Sequence, residues 1–273
     1  MSLGAKKTLY NILYLNFIVS VSAMFLSGGF TFFLGVDNWC FYALFTGIST
    51  MTVYNGQRLF KSEVREKTAW LFWVERNKKS LWYVVLSLGL FSFLLFLLLF
   101  SFELKAGLVF FISVFVSVFY VVKLGNISLR EIPHIKIHLI AITWVLIALV
   151  FPLINEGSSF SCFYYALPHY FYVLGVTIPF DIRDLKYDSK KQKTIPQLFG
   201  VIGAKILAVS CLVFFAFFMC FVDSCFIYNY FFFVAIILQI MLVLYTNQLR
   251  SEIYFAGLID GAISVLGISY FFA

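Results

Sequence analysis

Three carboxylates stand close together after an apolar run in this chain, in which only 12% of the residues are charged. They are Asp181, Asp184 and Asp188. On a helix, spacings of three and four residues place side chains on one face, so we expect one acidic ridge. Such a ridge repels itself unless a cation binds to it, and magnesium prefers carboxylate oxygens together with water and phosphate oxygens. The pattern predicts a site for Mg²⁺ and a phosphorylated ligand.

The composition excludes an ordinary soluble domain, because 62% of the 273 residues are hydrophobic and 36 are phenylalanine. We predict an all-α integral membrane protein that forms a single polytopic domain over residues 1–273. Apolar runs of the length that crosses a bilayer, roughly 20 residues, recur along the chain. The nine predicted spans are Thr8–Phe33, Phe41–Leu59, Trp82–Ser101, Leu108–Val122, Ile137–Leu153, Tyr164–Phe180, Ile206–Phe221, Ile227–Tyr245 and Ile253–Phe272.

The positions of lysine and arginine predict the orientation, because cytoplasmic loops retain positive charge. Basic residues precede the first span and occupy 58–79, 123–136, 183–205 and position 250, and only Lys105 of the 20 falls on the other side. We predict an N-terminus inside, a C-terminus outside and functional loops on the cytoplasmic face. The net charge of +7 therefore needs no nucleic-acid partner.

Three long polar loops lie on the predicted inner side, at 58–79, 123–136 and 181–205, and we expect them to converge over one mouth of the bundle. The second and sixth spans run in the same direction and both end in polar residues, which indicates a parallel internal repeat. Transporter sites usually lie near mid-membrane in broken helices. Polar groups at one membrane face instead favour an enzyme or a binder of lipid head groups.

The acidic ridge and the segment that follows it resemble the second aspartate-rich motif of the UbiA superfamily of intramembrane prenyltransferases. In that family a DxxDxxxD segment precedes a Lys/Arg-Thr-hydrophobic-Pro turn and a glycine that opens the next helix. This chain reads Lys-Thr-Ile-Pro-Gln-Leu-Phe-Gly over 193–200. The resemblance covers most of the chain. It implies a UbiA-like bundle of nine helices, Mg²⁺ as cofactor, and a prenyl diphosphate and an aromatic or other lipid-soluble acceptor as substrates.

The first motif of the family, N-D-x-x-D-x-x-x-D at the end of the second helix, is matched less well. Over 55–63 this chain keeps Asn55 and has Glu63 where the last aspartate stands, but glycine and leucine replace the two middle carboxylates. Arg58 lies in the same segment. Its guanidinium can contact a diphosphate directly, because the arginine fork matches phosphate oxygens without a metal.

A further resemblance follows the fourth span, where the family carries Tyr-x-x-x-Lys. Here the lysine is Lys123, the aromatic position is Phe119, and Tyr120 is adjacent. Arg130 and Lys136 add positive charge opposite the acidic ridge. Together these residues are expected to contact the diphosphate and to shield an allylic cation with aromatic faces.

The resemblance assigns a role to each candidate residue. The expected metal ligands are Asp181, Asp184, Asn55 and Glu63. The expected catalytic residues are Asp181, Asp184, Lys123, which stabilises the leaving oxygen, and Asp188, which deprotonates the acceptor or holds a metal-bound water. The expected substrate-binding residues are Asn55, Arg58, Phe119, Tyr120, Arg130, Lys136 and Lys186.

Other readings of these residues stay open. The acidic ridge is also compatible with a solvated loop balanced by neighbouring lysines, and the altered first motif suits a non-catalytic paralogue that binds isoprenoid lipid or a partner protein. Asp260 lies inside the last predicted span, where a carboxylate indicates a functional site. Its alternative role is a hydrogen bond to a neighbouring helix, with Gly257 and Gly261 allowing close packing.

Overall fold

The computed structural model describes residues 3–61, 69–123, 125, 127–157, 162–189 and 192–273. In these residues the protein is all-helical, with 83% helix and no strands. The helices, in chain order, are α1 Leu3–Tyr14, α2 Phe17–Phe33, α3 Trp39–Lys61, α4 Ala69–Arg76, α5 Lys78–Leu99, α6 Leu104–Phe119, α7 Lys136–Asn155, α8 Cys162–Asp184, α9 Ile195–Val222, α10 Cys225–Tyr228, α11 Tyr230–Leu244 and α12 Ile253–Phe272. Two of them contain π-helical segments, Leu146–Val150 in α7 and Ile253–Ile259 in α12.

Each of the nine predicted apolar segments falls on a helix or on a bent pair of helices. By length and composition, four helices in the described residues can cross a membrane, namely α5, α7, α9 and α12. The pair α1 and α2, bent by 56°, is a fifth if it counts as one span. The number is smaller than nine partly because α6 and α11 are only 16 and 15 residues long. The described helices therefore support a membrane protein with several apolar helices.

The bend between α1 and α2 is centred on Asn16, whose backbone is left-handed with φ of 56°. Beyond it, α2 packs mainly against α3 and α12. A Cβ added to Gly267 of α12 would lie 2.3 Å from the carbonyl carbon of Phe25, and one added to Gly29 would lie 1.9 Å from the Gly267 oxygen. Only residues without side chains permit this backbone approach. The position of α12 beside α2 is thus determined by two glycines.

The main core is aromatic and lies between α2, α8, α9, α11 and α12. Phe30, Tyr172, Phe215, Phe232 and Phe255 are almost fully buried there. Other apolar side chains on α5, α6 and α9 face outward, as expected where lipid rather than water surrounds the helices. Polar and charged residues collect at one end of this core, where α3 and α8 end and α7 and α12 begin.

Candidate functional site

A cavity of about 200 Å³ lies between the final turns of α3 and α8 and the first halves of α7 and α12. Its charged lining consists of Arg58, Arg130, Lys136, Arg183, Asp181, Asp184, Glu252 and Asp260. Its aromatic lining consists of Tyr54, Trp70, Tyr120, Trp144, Tyr172 and Phe180, and aliphatic residues of α3, α6, α7, α8 and α12 complete it. One space therefore joins four cations, four carboxylates and a largely apolar wall.

The acidic segment at the end of α8 is divided by the fold. Helix α8 ends at Asp184, so the prediction of one helical ridge is wrong for Asp188, which follows a turn after the helix end. The Lys136 ammonium lies between two of the carboxylates, with Nζ 2.8 Å from Asp181 Oδ1 and 2.6 Å from Asp188 Oδ2. A lysine of the same chain thus supplies the cation that the acidic residues require.

The third carboxylate of the segment, Asp184, pairs with its neighbour Arg183. The guanidinium Nε lies 2.7 Å from Asp184 Oδ1, and Nη2 donates to Oδ2 at 3.1 Å. Nη1 of Arg183 lies 3.3 Å from Glu252 Oε2, just before α12. The guanidinium carbon also lies 5.2 and 5.4 Å from the ring centroids of Phe180 and Phe255. This second charged group connects the end of α8 to the start of α12.

The predicted turn after the acidic segment is present. Helix α9 begins at Ile195 with Pro196 in its first turn, where the missing proline N–H is not needed. Gln197 Oε1 accepts a hydrogen bond from the Thr194 N–H at 3.1 Å, and its Nε2 donates to the Asp188 carbonyl at 3.2 Å. Gly200 has φ of 68° and a non-helical backbone, so it separates the short helical stretch 195–199 from the long part of α9 that follows it. The turn positions Asp188 beside Lys136.

Asn55, an expected metal ligand, lies fully buried near the end of α3. Its Nδ2 donates to the carbonyls of Leu15 and Met51, both at 2.8 Å, and its Oδ1 accepts from Asn16 Nδ2 at 3.1 Å. The break at Asn16 leaves carbonyl groups at the end of α1 without partners inside the helix. Asn55 satisfies one of them, and it is absent from the cavity lining.

Arg58 lies one turn beyond Asn55 on the same helix face. One of its guanidinium nitrogens donates to the carbonyl of Tyr14, the last residue of α1. The guanidinium carbon lies 5.0 Å from the centroid of the Trp70 ring, and the side chain lines the cavity. In the described part of the chain no carboxylate forms an ion pair with Arg58, so the other donors of its fork are available to a ligand.

Tyr120 and Arg130 also line the cavity, as expected for substrate-binding residues. The Arg130 guanidinium carbon lies 5.8 Å from the Tyr120 ring centroid, and Nη2 lies 4.0 Å from Asp188 Oδ1. The backbone N–H of Arg130 donates to the Tyr120 carbonyl at 3.3 Å. The loop between α6 and α7 therefore returns over the end of α6 and directs a cation to the cavity.

The remaining predicted residues lie elsewhere. Phe119 is half-buried and packs against Phe115, while Lys123 and Lys186 are exposed, and none of the three lines the cavity. Glu63 lies outside the described residues. The position of Phe119 follows from the helix geometry, because the residue beside Tyr120 points to a different face of α6.

Several cavity residues were not assigned to the site from the sequence, among them Glu252, Asp260 and Tyr54. Glu252 was unassigned, although it is a lone acid directly before the last apolar segment, which is a usable signal. Asp260 was treated as a separate feature, yet it faces the same cavity as Asp181. Tyr54 also lines the cavity, and its hydroxyl accepts a hydrogen bond from Trp144 Nε1 at 3.0 Å.

Among the described residues, the oxygen ligands suit a magnesium ion only on the α8 side of the cavity. Neither oxygen of Asp181 has a hydrogen-bond partner in the described residues, and the contact from Lys136 to Oδ1 is an ion pair without hydrogen-bond alignment. Asp184 lines the same space. No group of three or more His, Cys, Asp or Glu side chains in the described ranges is arranged to hold a metal. Two carboxylates with phosphate and water oxygens suffice for magnesium.

No family model, curated protein or solved structure matches the chain.

Proposed function

We propose that this protein is a membrane-embedded, Mg²⁺-dependent prenyltransferase, which transfers a polyprenyl group from an allylic diphosphate to an aromatic or other lipid-soluble acceptor. The observation that carries the proposal is the division of the cavity into a charged end and an aromatic and aliphatic remainder. A prenyl diphosphate has the same division, with a charged head group joined to an apolar chain. The sequence resemblance of 181–200 to the second prenyltransferase motif supports the same ligand.

The head group is proposed to bind at the cationic side chains. Arg58 presents unpaired guanidinium donors from α3, and Arg130 presents its guanidinium from the loop before α7. Arginine forks bind phosphate oxygens through two parallel hydrogen bonds, which fixes orientation as well as charge. Lys136 lines the same cavity, so ligand binding is expected to compete with its contacts to Asp181 and Asp188.

Asp181 and Asp184 are the residues that would hold the metal, and Mg²⁺ when bound would neutralise charge on the diphosphate. Side chains of the protein would stabilise the leaving group and the allylic cation. As the bond between C1 and the bridging oxygen breaks, Arg58 stabilises the charge that develops on the leaving diphosphate. The rings of Tyr120 and Phe180 face the same space and are expected to stabilise the allylic cation and exclude water.

The proposal includes the finer topology. We infer nine membrane spans, an N-terminus inside and a cavity that opens to the cytoplasmic face. Support comes from the alternation of basic residues and from the helices that occupy each predicted span. Alkaline phosphatase fused after Ala273 should be active in a bacterial inner membrane, because the enzyme folds only outside the cytoplasm. A fusion between α8 and α9 should be inactive, and the reverse pattern would contradict the orientation.

A second candidate is a non-catalytic protein that binds isoprenoid lipid. Two contacts favour it: the Asn55 oxygen already accepts from Asn16, and Lys136 already neutralises Asp181 and Asp188. Because of these contacts, fewer oxygens are available to bind a metal than in the two intact motifs of the family. A lipid binder needs the charged end and the apolar wall of the cavity but no metal-assisted bond cleavage.

Labelled geranyl diphosphate tests both candidates. Binding and transfer to a panel of lipid-soluble phenols would be measured with purified protein in detergent, with Mg²⁺ and with EDTA. We expect Mg²⁺-dependent binding, with transfer lost in Asp181→Asn and Asp184→Asn. The matched control is Lys105→Gln, an exposed charge near the start of α6 outside the cavity. Tight binding without transfer would favour the lipid binder, and absence of Mg²⁺-dependent binding would contradict the prenyltransferase.

A further inference from the structure

One carboxylate of the cavity differs from the other three in its contacts. Asp181 is paired with Lys136, while Asp184 and Glu252 are paired with Arg183. Asp260 is nine-tenths buried, with 9% of its surface exposed, and it lines the cavity. Its backbone N–H is hydrogen-bonded within α12, but in the described residues no side chain or backbone group forms a hydrogen bond or ion pair with its carboxylate. A buried carboxylate without a partner is costly, so its retention calls for a ligand.

The local backbone directs Asp260 to the cavity. The π-helical segment Ile253–Ile259 ends immediately before it, and π-helical turns occur preferentially at functional sites. Ala256, four residues earlier, lines the same cavity, so this face of α12 is the one that meets the ligand space. At the next position after Asp260, a Cβ added to Gly261 would lie 3.7 Å from Ile18 of α2.

Helix packing does not account for Asp260. Added Cβ atoms at Gly257 and Gly261 would meet their neighbours at 3.6 Å or more, which is ordinary contact. The close backbone approach of α12 to α2 occurs instead at Gly267, two turns further along. The alternative in which a hydrogen bond from Asp260 joins two tightly packed helices therefore has no support in the described residues.

The charged groups that act on Asp260 come from three directions. Arg58 faces it from α3, Arg183 from α8, and Glu252 precedes it on its own helix. Tyr54 of α3 also interacts with it electrostatically. Helix α2, which packs along α12, carries no titratable side chain between residues 17 and 33. The two arginines lie beyond ion-pair distance in the described structure, so the carboxylate oxygens are available to a ligand.

We propose that Asp260 is a catalytic residue that binds the hydroxyl group of the acceptor and receives its proton. This inference rests on the proposed prenyltransferase function and names the acceptor class as phenols. The phenol O–H bond breaks and its proton binds to the Asp260 carboxylate. The ring carbon beside the resulting oxyanion forms a bond to C1 of the prenyl group, while the electron pair of the C1–O bond leaves with diphosphate. The dienone product then tautomerises to the prenylated phenol, and no redox partner is required.

Asp188, the residue expected from the sequence to deprotonate the acceptor, is placed less well for this step. Its Oδ2 is 2.6 Å from Lys136 Nζ, and the residue is absent from the cavity lining. A base must come within hydrogen-bond reach of the proton it removes, and geometry is the first criterion. Asp260 meets the criterion because it borders the cavity and has no competing partner in the described chain.

The test uses full-length protein in detergent with labelled geranyl diphosphate as donor, and 1-naphthol and its methyl ether, 1-methoxynaphthalene, as acceptor probes. In Asp260→Asn we expect the donor Kd to stay within twofold of wild type and kcat for 1-naphthol to fall by roughly 10²–10⁴-fold, the range of general base catalysis. Asp260→Glu should retain part of the activity. The methyl ether should not react. Asp37→Asn, an exposed acid between α2 and α3, is the matched control.

Chemical rescue separates a proton-accepting role from a structural one. Added formate should restore part of kcat in Asp260→Ala, because a small carboxylate can occupy the vacated space, and it should not affect Asp37→Asn. Unchanged kcat in Asp260→Asn, a kcat loss without formate rescue, or equal reaction of the methyl ether would overturn the inference while leaving the prenyltransferase function standing. Failure of wild-type protein to bind the donor would overturn both.

Discussion

The ends of α3 and α8 both carry polar side chains, yet these side chains have different partners. At α3, Asn55 and Arg58 donate to backbone carbonyls at the end of α1, beside the break at Asn16. At α8, Asp181 contacts the ammonium of Lys136 from another helix. The first end therefore stabilises the backbone of a neighbouring helix, whereas the second holds charge beside a cavity.

The difference follows from the groups that each helix end contacts. Amide and guanidinium groups donate hydrogen bonds, which is what exposed carbonyl groups at a broken helix need. Carboxylates only accept, and they need a cation such as an ammonium group or a metal ion. The ends of α3 and α8 thus differ in their polar side chains because their neighbours offer opposite hydrogen-bonding groups.

The largest effect is expected from Lys136→Met, which breaks the α8 side of the comparison. Two buried carboxylates would lose their cation, and removal of one partner from a buried ion pair costs about 3–5 kcal/mol. Thermal unfolding in detergent would show a marked loss, with Lys105→Met as the exposed control. The triple variant Lys136→Met, Asp181→Asn, Asp188→Asn should recover much of the stability. If Lys136→Met alone is as stable as wild type, the contacts of Lys136 with Asp181 and Asp188 do not stabilise the fold.

Asn55→Ala tests the α3 side of the comparison. We expect it to have the next largest effect on stability. It leaves the Leu15 carbonyl and the Asn16 amide without their partners, and each buried unsatisfied group costs about 1–3 kcal/mol. Stability should fall while the donor Kd of the folded protein changes little. The opposite result, normal stability with weakened Mg²⁺-dependent donor binding, would show that Asn55 acts on the ligand as the sequence motif implies.

Arg58→Lys sharpens the comparison, because Arg58 contacts the end of α1 and also lines the cavity. Lysine keeps the charge but lacks the planar fork, so the affinity for geranyl diphosphate should fall about tenfold, equivalent to about 1.4 kcal/mol. A titration of labelled donor measures the change. Equal affinity in the lysine variant would restrict Arg58 to its contact with the end of α1.

The smallest effect is expected from Glu252→Gln. Its contact with Arg183 involves side chains that are each about a quarter exposed, and such pairs contribute about 0–1 kcal/mol. The unfolding temperature should therefore change little compared with Lys136→Met. A loss comparable to that of Lys136→Met would show that the link between α8 and α12 is as important as the buried pair.

Local patterns predicted much of this protein because they depend on neighbours in sequence. Apolar run length located most of the long helices but not α4, and the Thr-Ile-Pro-Gln signal located the start of α9. The candidate site was predicted in part: Asp181, Asp184, Arg58, Tyr120, Arg130 and Lys136 line the cavity. Lys123 and Lys186 do not, because a charge near a helix end can point to solvent as readily as to a cavity.

The sequence by itself determined that the chain is helical and apolar enough to cross a membrane, and that carboxylates and cations gather at one end of it. Only the tertiary structure decided their partners. Lys136 and Asp181 are 45 positions apart, and Asn55 meets Leu15 across 40. Asp260 reaches the cavity because two glycines set α12 against α2 and a π-helical turn precedes it. Such pairings depend on how helices pack, and packing is a property of distant side chains rather than of local spacing.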